Sequence, residues 1–227
     1  MIIVNERVET TVSAELLERL RSIPPATIGH ILDFGFMDIG LRPIGKRKFT
    51  ICGPAFTVKA MAIDSTVVHK AIDMAQPGDI LVIDRNGDNK HACWGEMTSL
   101  GALMKGITAT IVDGPATDVV EIEEMEYLVF SRGISPITTR SLAMAGEINT
   151  VVQCGGVSVT PGDIILADDN GVLVLKPDQV AALVEHCEPI AQREPTTRKR
   201  LRSGEPLAEI SNANKKIAVA LEAQAAH

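Results

Sequence analysis

Gly95, Glu96 and Asp118 are the residues of this chain whose types and spacing can do chemistry. They lie in residues 94–118, WGEMTSLGALMKGITATIVDGPATD. A glycine permits a tight turn before a helix, and the first amides of that helix lack intrahelical acceptors. Such amides suit the carboxylate of a small oxo acid, and Thr98 and Ser99 add hydroxyl donors. The same residues also read as an ordinary helix start with Thr98 as its cap. Asp118 follows a β-branched run over 107–112 and the turn Asp113-Gly114-Pro115. At the carboxyl end of a parallel strand it is placed to hold a hard cation. It reads equally as the N-cap of a helix over 119–126. Glu121 falls on the same helical side and Glu96 lies near it, each able to act through a water. Oxygen-only ligands favour Mg²⁺ or Mn²⁺ over Zn²⁺.

The elements that must position these residues follow from periodicity. Leu16, Leu17 and Leu20 make an apolar stripe over 13–23, ended by Pro24 and Pro25. A second short helix is expected over 26–33. Strands are expected over 51–60, interrupted at Gly53-Pro54, then over 80–83, 107–112, 128–130 and 171–175. Helices are expected over 65–74, with Asp64 or Ser65 as N-cap, and over 97–105. The phrase QPGDILVID at 76–84 is echoed by TPGDIILAD at 160–168. Both read as tight turns feeding a buried strand, as two similar corners rather than tandem domains. Pro177 opens a helix expected to run through Glu185, and a separate charged helix follows and ends near Gly204. Strands alternating with short helices predict one α/β core with peripheral N- and C-terminal helices.

Composition narrows the function classes. The 227 residues carry a formal charge of -7, with 22% charged and only 3% aromatic residues. The acidic balance argues against nucleic acid as a partner. The basic run Arg198, Lys199, Arg200 and Arg202 reads as a solvated helix face, with a phosphate contact as the alternative. No apolar run is long enough for a membrane span, and the N-terminus lacks the basic start of a signal peptide. A cytoplasmic protein without membrane contact is expected. Cys52, Cys93, Cys154 and Cys187 form no CxxC pair and read as buried free thiols.

At these residues the chain resembles the RraA-like family, which includes class II 4-hydroxy-4-methyl-2-oxoglutarate/4-carboxy-4-hydroxy-2-oxoadipate aldolases and regulators of ribonuclease E activity. The resemblance runs from about Thr27 to Gly204. It is carried by GPAFTV at 53–58, PGDILVID at 77–84, residues 94–114, and CGGVSVTPGDIILADDNGVLVLKP at 154–177. It implies a compact swivelling β/β/α domain over 27–186 and assembly as a homotrimer or homohexamer with sites near subunit interfaces; helical periodicity adds a helical arm over 1–26 and a helical extension and tail over 187–227. Glu194 or Glu188 is expected either to reach across such an interface or to stay on the surface.

The family's aldolases carry an acid, twenty residues, then Arg-Asp. Here Glu96 holds the acid position and Asp118 the aspartate position, but Thr117 replaces the arginine. The resemblance implies that Asp118 ligates Mg²⁺ (or Mn²⁺) directly and that Glu96 and Glu121 act through water. It places Gly95, Glu96, Met97, Thr98 and Thr117 against the substrate, with Glu96, Asp118 and Thr117 catalytic. The implied reaction is C–C cleavage of a small 2-oxo dicarboxylic or tricarboxylic acid through a Mg-stabilised enolate. Pyruvate would be released by retro-aldol cleavage, oxaloacetate decarboxylation, or both. Thr117 offers one neutral hydroxyl where the family offers a cationic fork. That change points also to a metal-dependent enzyme on another substrate, or to a non-catalytic regulator of the ribonuclease type. Lys90, His91, Arg85 and Arg140 are the cations that could compensate, Lys90 and His91 being nearest to Glu96 in sequence. His69 reads as packing, surface or pocket lining.

Overall fold

The computed structural model describes residues 1–45 and 48–225. Four strands form its parallel centre: β3 (Thr50–Ala60), β4 (Ile80–Asp84), β5 (Ala109–Val112) and β7 (Val129–Ser131). Their residues are mostly β-branched or small, and β4 and β5 are buried throughout, as strands covered on both faces must be. Helices α3 (Thr66–Met74), α4 (Glu96–Met104) and α5 (Val119–Glu124) are the crossovers between them. β9 (Gly146–Ile148) adds antiparallel to β3, and β1 (Ile2–Val4) adds parallel to β9. β2 (Arg42–Pro43) closes the far edge against β7. A hairpin of β12 (Ile164–Asp168) and β13 (Gly171–Leu175) branches from β3. Two small pairs complete the strands: β6 (Pro115–Ala116) with β8 (Gly133–Ile134), and β10 (Val152–Cys154) with β11 (Val157–Val159).

β3 is continuous, against the expected interruption at Gly53-Pro54. It changes partners there instead. Residues 50–54 pair with β12, and residues 55–60 pair with β4 and, at their end, β9. Pro54 has no amide to donate, and the change of partner is where that loss is tolerated. The two PGD corners flank this switch: Ile80 faces Ala55 and Ile164 faces Pro54. Each corner has a glycine at positive φ, +92° at Gly78 and +86° at Gly162. Asp79 Oδ2 accepts the Gln76 amide at 2.8 Å, and Asp163 Oδ2 accepts the Thr160 amide at 2.8 Å. Gly53 is required between them, because a Cβ would run into the Gly78 carbonyl.

The peripheral helices differ from expectation in three places. α1 (Ala14–Arg21) is capped by Ser13 as the sequence suggests, but α2 (Pro25–Ile28) is a single turn. The N-terminal arm also contributes β1 to the sheet, so it is not wholly helical. After a 3₁₀ turn over Pro177–Gln179, α6 (Val180–Arg202) runs unbroken through Pro189 and Pro195 and past the expected boundary at 186/187. Its first turns bury Val180, Leu183, Val184 and Cys187 in one apolar cluster with Leu20, Ile23, Leu166 and Leu173. The inner part of α6 therefore belongs to the core. Short α7 (Leu207–Ile210) and α8 (Ala213–Ala225) follow, with no buried residue in either; positions 226 and 227 of the expected tail lie outside the described residues. Glu194 pairs with Arg198 at 2.6 Å and Glu188 with Arg19 at 2.9 Å, both within the chain. Arg200 pairs with Glu205. All four cysteines are free and buried. No helix among the described residues is long and apolar enough to cross a membrane.

Candidate active site

A cavity of about 360 Å³ opens where the loops after β3, β4, β5 and β7 converge. This is the carboxyl end of the parallel strands, where open α/β sheets place their ligands. One wall comes from Ala92–Gly95 and the start of α4, with Met97, Thr98, Thr117 and Asp118. The other comes from Ser65, His69 and residues 138–141. Trp94 backs the first wall: it is buried, stacked on Tyr127 at 6.3 Å, and its Nε1 donates to Ser99 Oγ at 2.8 Å. Ser99 is therefore committed to the core and is not a ligand donor. Cys93 also lines the cavity, but burial pushes its thiol up to about 11, which leaves it inert near neutral pH.

Asp118 stands at the first position before α5, yet it does not cap that helix. Its backbone is left-handed, φ 53°, a conformation that Asp tolerates better than most residues but that still carries strain. The turn sends the carboxylate away from α5 and toward α4. Oδ2 accepts the Glu96 amide at 3.0 Å and Oδ1 accepts the Thr117 hydroxyl at 3.2 Å. Gly95 makes this approach possible, since a Cβ there would collide with Asp118 Oδ2 and with Thr117 Cγ2 at 2.7 Å.

Other expected roles are redistributed. Glu96 contributes its amide, while its side chain and that of Glu121 do not line the cavity. Thr98 uses its hydroxyl on Gly95, accepting from its amide and donating to its carbonyl, both at 2.9 Å. The amides of Met97 and Thr98, by contrast, have no acceptor among the described residues. Two free amides thus remain at the start of α4, where the helix dipole favours an anion.

Of the candidate cations, the two nearest in sequence to Glu96 do not reach the cavity. Lys90 is exposed and His91 is held by Asp88 at 2.8 Å. Arg85 is fully buried and donates to the carbonyls of Ala60, Ala62 and His91 and to Asp88, so it organises the loop. Arg140 and His69 are the two that line the cavity. The second wall is the run Thr138-Thr139-Arg140-Ser141, hydroxyls around an arginine.

Among the described residues no group of three or more His, Cys, Asp or Glu stands ready to hold a metal. The all-protein cage of a structural zinc site is thus not on offer. Asp118 and the Thr117 hydroxyl make an oxygen-only set with one carboxylate. That set fits an ion such as Mg²⁺, which keeps most of its water and is commonly held by one or two carboxylates plus substrate oxygens.

The comparisons agree with this architecture. Residues 27–174 match the RraA-like family, described as Aldolase/RraA. The uncharacterized Methanocaldococcus jannaschii protein MJ0644 is 34% identical over 82% of this chain and 90% of its own length. A Halalkalibacterium halodurans protein with the provisional name 4-hydroxy-4-methyl-2-oxoglutarate aldolase is 32% identical over 73% of this chain and 78% of its own. The crystal structure of Streptomyces coelicolor RraAS2 superposes with a TM-score of 0.74 at 24% identity, covering 83% of this chain and 99% of that one, which shows a shared fold. On the strength of the match over most of its sheet, the chain belongs to the RraA-like family.

Proposed function

We propose that this protein is a divalent-metal-dependent lyase that cleaves a C–C bond of a small 2-oxo acid and releases pyruvate. The observation that carries this reading is Asp118: a strained residue at a helix start whose carboxylate turns away from its own helix into a cavity beside free amides. Asp118 would hold Mg²⁺ or Mn²⁺, with Glu96 and Glu121 reaching it only through water. When bound, such an ion polarises the 2-oxo carbonyl and stabilises the negative charge left by C3–C4 cleavage. The Met97 and Thr98 amides bind the C1 carboxylate and fix the acid's orientation. Trp94, Cys93 and Ala92 form a dry wall that strengthens each of these electrostatic contacts. The Thr117 hydroxyl donates to Asp118, so part of its role is to position the metal ligand.

The relatives provisionally named as aldolases support the reaction class, and 4-hydroxy-4-methyl-2-oxoglutarate is therefore one substrate to try. Oxaloacetate is the other, because decarboxylation needs no base for a hydroxyl. We further propose that the protein assembles as a homotrimer or homohexamer. Exposed Met97, Leu100, Leu103 and Met104 on α4 give a second copy an apolar surface beside the cavity. The test is pyruvate release from both acids with Mg²⁺ or with EDTA, in wild type and Asp118→Ala. Turnover that needs metal and disappears in Asp118→Ala supports the reading. A folded protein that turns over neither acid contradicts it, and leaves another substrate or a regulatory partner as the function.

A further inference from the structure

We infer that Arg140 gives the cavity its cationic fork and selects 2-oxo acids with a second carboxylate. This rests on the lyase reading of the same cavity. Arg140 approaches from a different loop, and its place is fixed by backbone. Its amide donates to the Ile63 carbonyl at 2.7 Å, and its carbonyl accepts the Ser65 amide at 2.9 Å. Two residues earlier, Thr138 bridges to Ala92, and the Thr139 amide donates to the Ala92 carbonyl at 3.0 Å. The segment therefore ties the start of α3 to the Trp94 wall. Residues 138–141 line the same cavity as Asp118.

The guanidinium is available. The nearest acid in the backbone pairing is Asp64, which forms a β-bridge with Arg140. Asp64 is buried and saturated: Oδ1 accepts the Thr66 amide and hydroxyl and the Leu142 amide, and Oδ2 accepts the amides of Met144 and Ala145. With its carboxylate spent on ordering the loop on either side, Asp64 makes no ion pair with Arg140. Among the described residues the Arg140 side chain has no hydrogen-bond or ion-pair partner. Among the described residues the cavity it lines contains one carboxylate, Asp118, beside hydroxyls, His69 and the apolar Trp94 wall. An unpaired guanidinium on a backbone-anchored segment, lining the cavity that takes the 2-oxo carboxylate, is suited to bidentate capture of a distal carboxylate.

The test is equilibrium binding with Mg²⁺ present, using 2-oxoglutarate and pyruvate as probes, for wild type, Arg140→Gln, Arg140→Lys and Asp118→Asn. Thermal unfolding checks that each variant is folded; Arg140 is exposed and unpaired, so its removal leaves the fold intact. The expected result is that Arg140→Gln weakens 2-oxoglutarate by roughly 10- to 100-fold and leaves pyruvate unchanged. Arg140→Lys restores part of the preference, and Asp118→Asn weakens both acids. Wild-type affinity of Arg140→Gln for 2-oxoglutarate overturns the inference while leaving the lyase reading in place. Failure of wild type to bind either acid overturns both.

Discussion

The carboxylates of the two PGD corners and the carboxylate of Asp118 are built to opposite ends. Asp79 and Asp163 are 2% and 3% exposed, and each accepts an amide from its own turn. Each also has its cation: Arg7 donates twice to Asp79 at 2.8 and 2.9 Å, and Lys176 reaches Asp163 at 2.6 Å. These acids finish the structure and leave nothing over. Asp118 also accepts an amide, but from another helix; it is exposed and strained, and it has no cation among the described residues. A buried acid matched by its own turn amide and by a cation locks two strands against β3. An exposed acid that accepts only an amide and a hydroxyl, held at the end of the sheet, is available to a ligand.

Four substitutions or titrations separate the two kinds of acid. The largest effect is on turnover. Asp118→Asn should lower pyruvate release by roughly 100- to 1,000-fold, about 3–4 kcal/mol of lost stabilisation. Its thermal midpoint should stay near wild type, within about 0.5 kcal/mol, because Asn also accepts the left-handed backbone. Asp79→Ala should do the reverse. It strands Arg7 and the Gln76 amide at a cost of about 3 kcal/mol, or roughly 6–12 °C in Tm, with turnover per folded molecule unchanged. An Asp118 variant that unfolds like Asp79→Ala would erase the distinction.

Gly95→Ala joins the two readouts. Its Cβ must displace Asp118 and Thr117, so stability falls by about 1–3 kcal/mol and turnover falls with it. The smallest effect is in acid. Burial alone would raise the Asp64 pKa, but hydrogen bonds from Thr66, Met144 and Leu142 outweigh it and hold the carboxyl well below the usual carboxylate range. A depressed folded pKa stabilises above the unfolded value of about 3.9 and is lost as pH falls from there toward the folded value. Unfolding free energy measured from pH ~5 downward should therefore drop below pH ~4, and Asp64→Asn should flatten that drop.

What the sequence reveals follows the same division. The PGD corners are legible because turn, carboxylate and strand are contiguous, and their repetition marks them as similar parts. The β-branched runs at 80–83 and 107–112 are legible for the same local reason. Asp118 is legible only as a residue type, since a helix-start aspartate looks like a cap. Its outward turn depends on a left-handed backbone and on Gly95, twenty-three positions away. Arg140 and His69 reach the cavity through bridges from residue 138 to 92 and from 140 to 64, which no local pattern announces. Proximity in sequence pointed to Lys90 and His91, and the Asp88–His91 contact turns that loop back on itself. The single run of α6 was hidden by its two prolines, tolerated because most of the helix beyond Cys187 lies on the surface.

The central claim is that Asp118 is the carboxylate that holds a divalent ion. The most direct measurement is a Mn²⁺ titration followed by electron paramagnetic resonance, on wild type, Asp118→Asn and Asp79→Asn. Wild type should show a saturable site, Asp118→Asn an affinity reduced at least about tenfold, and folded Asp79→Asn no change. Wild-type Mn²⁺ affinity in Asp118→Asn would contradict the claim.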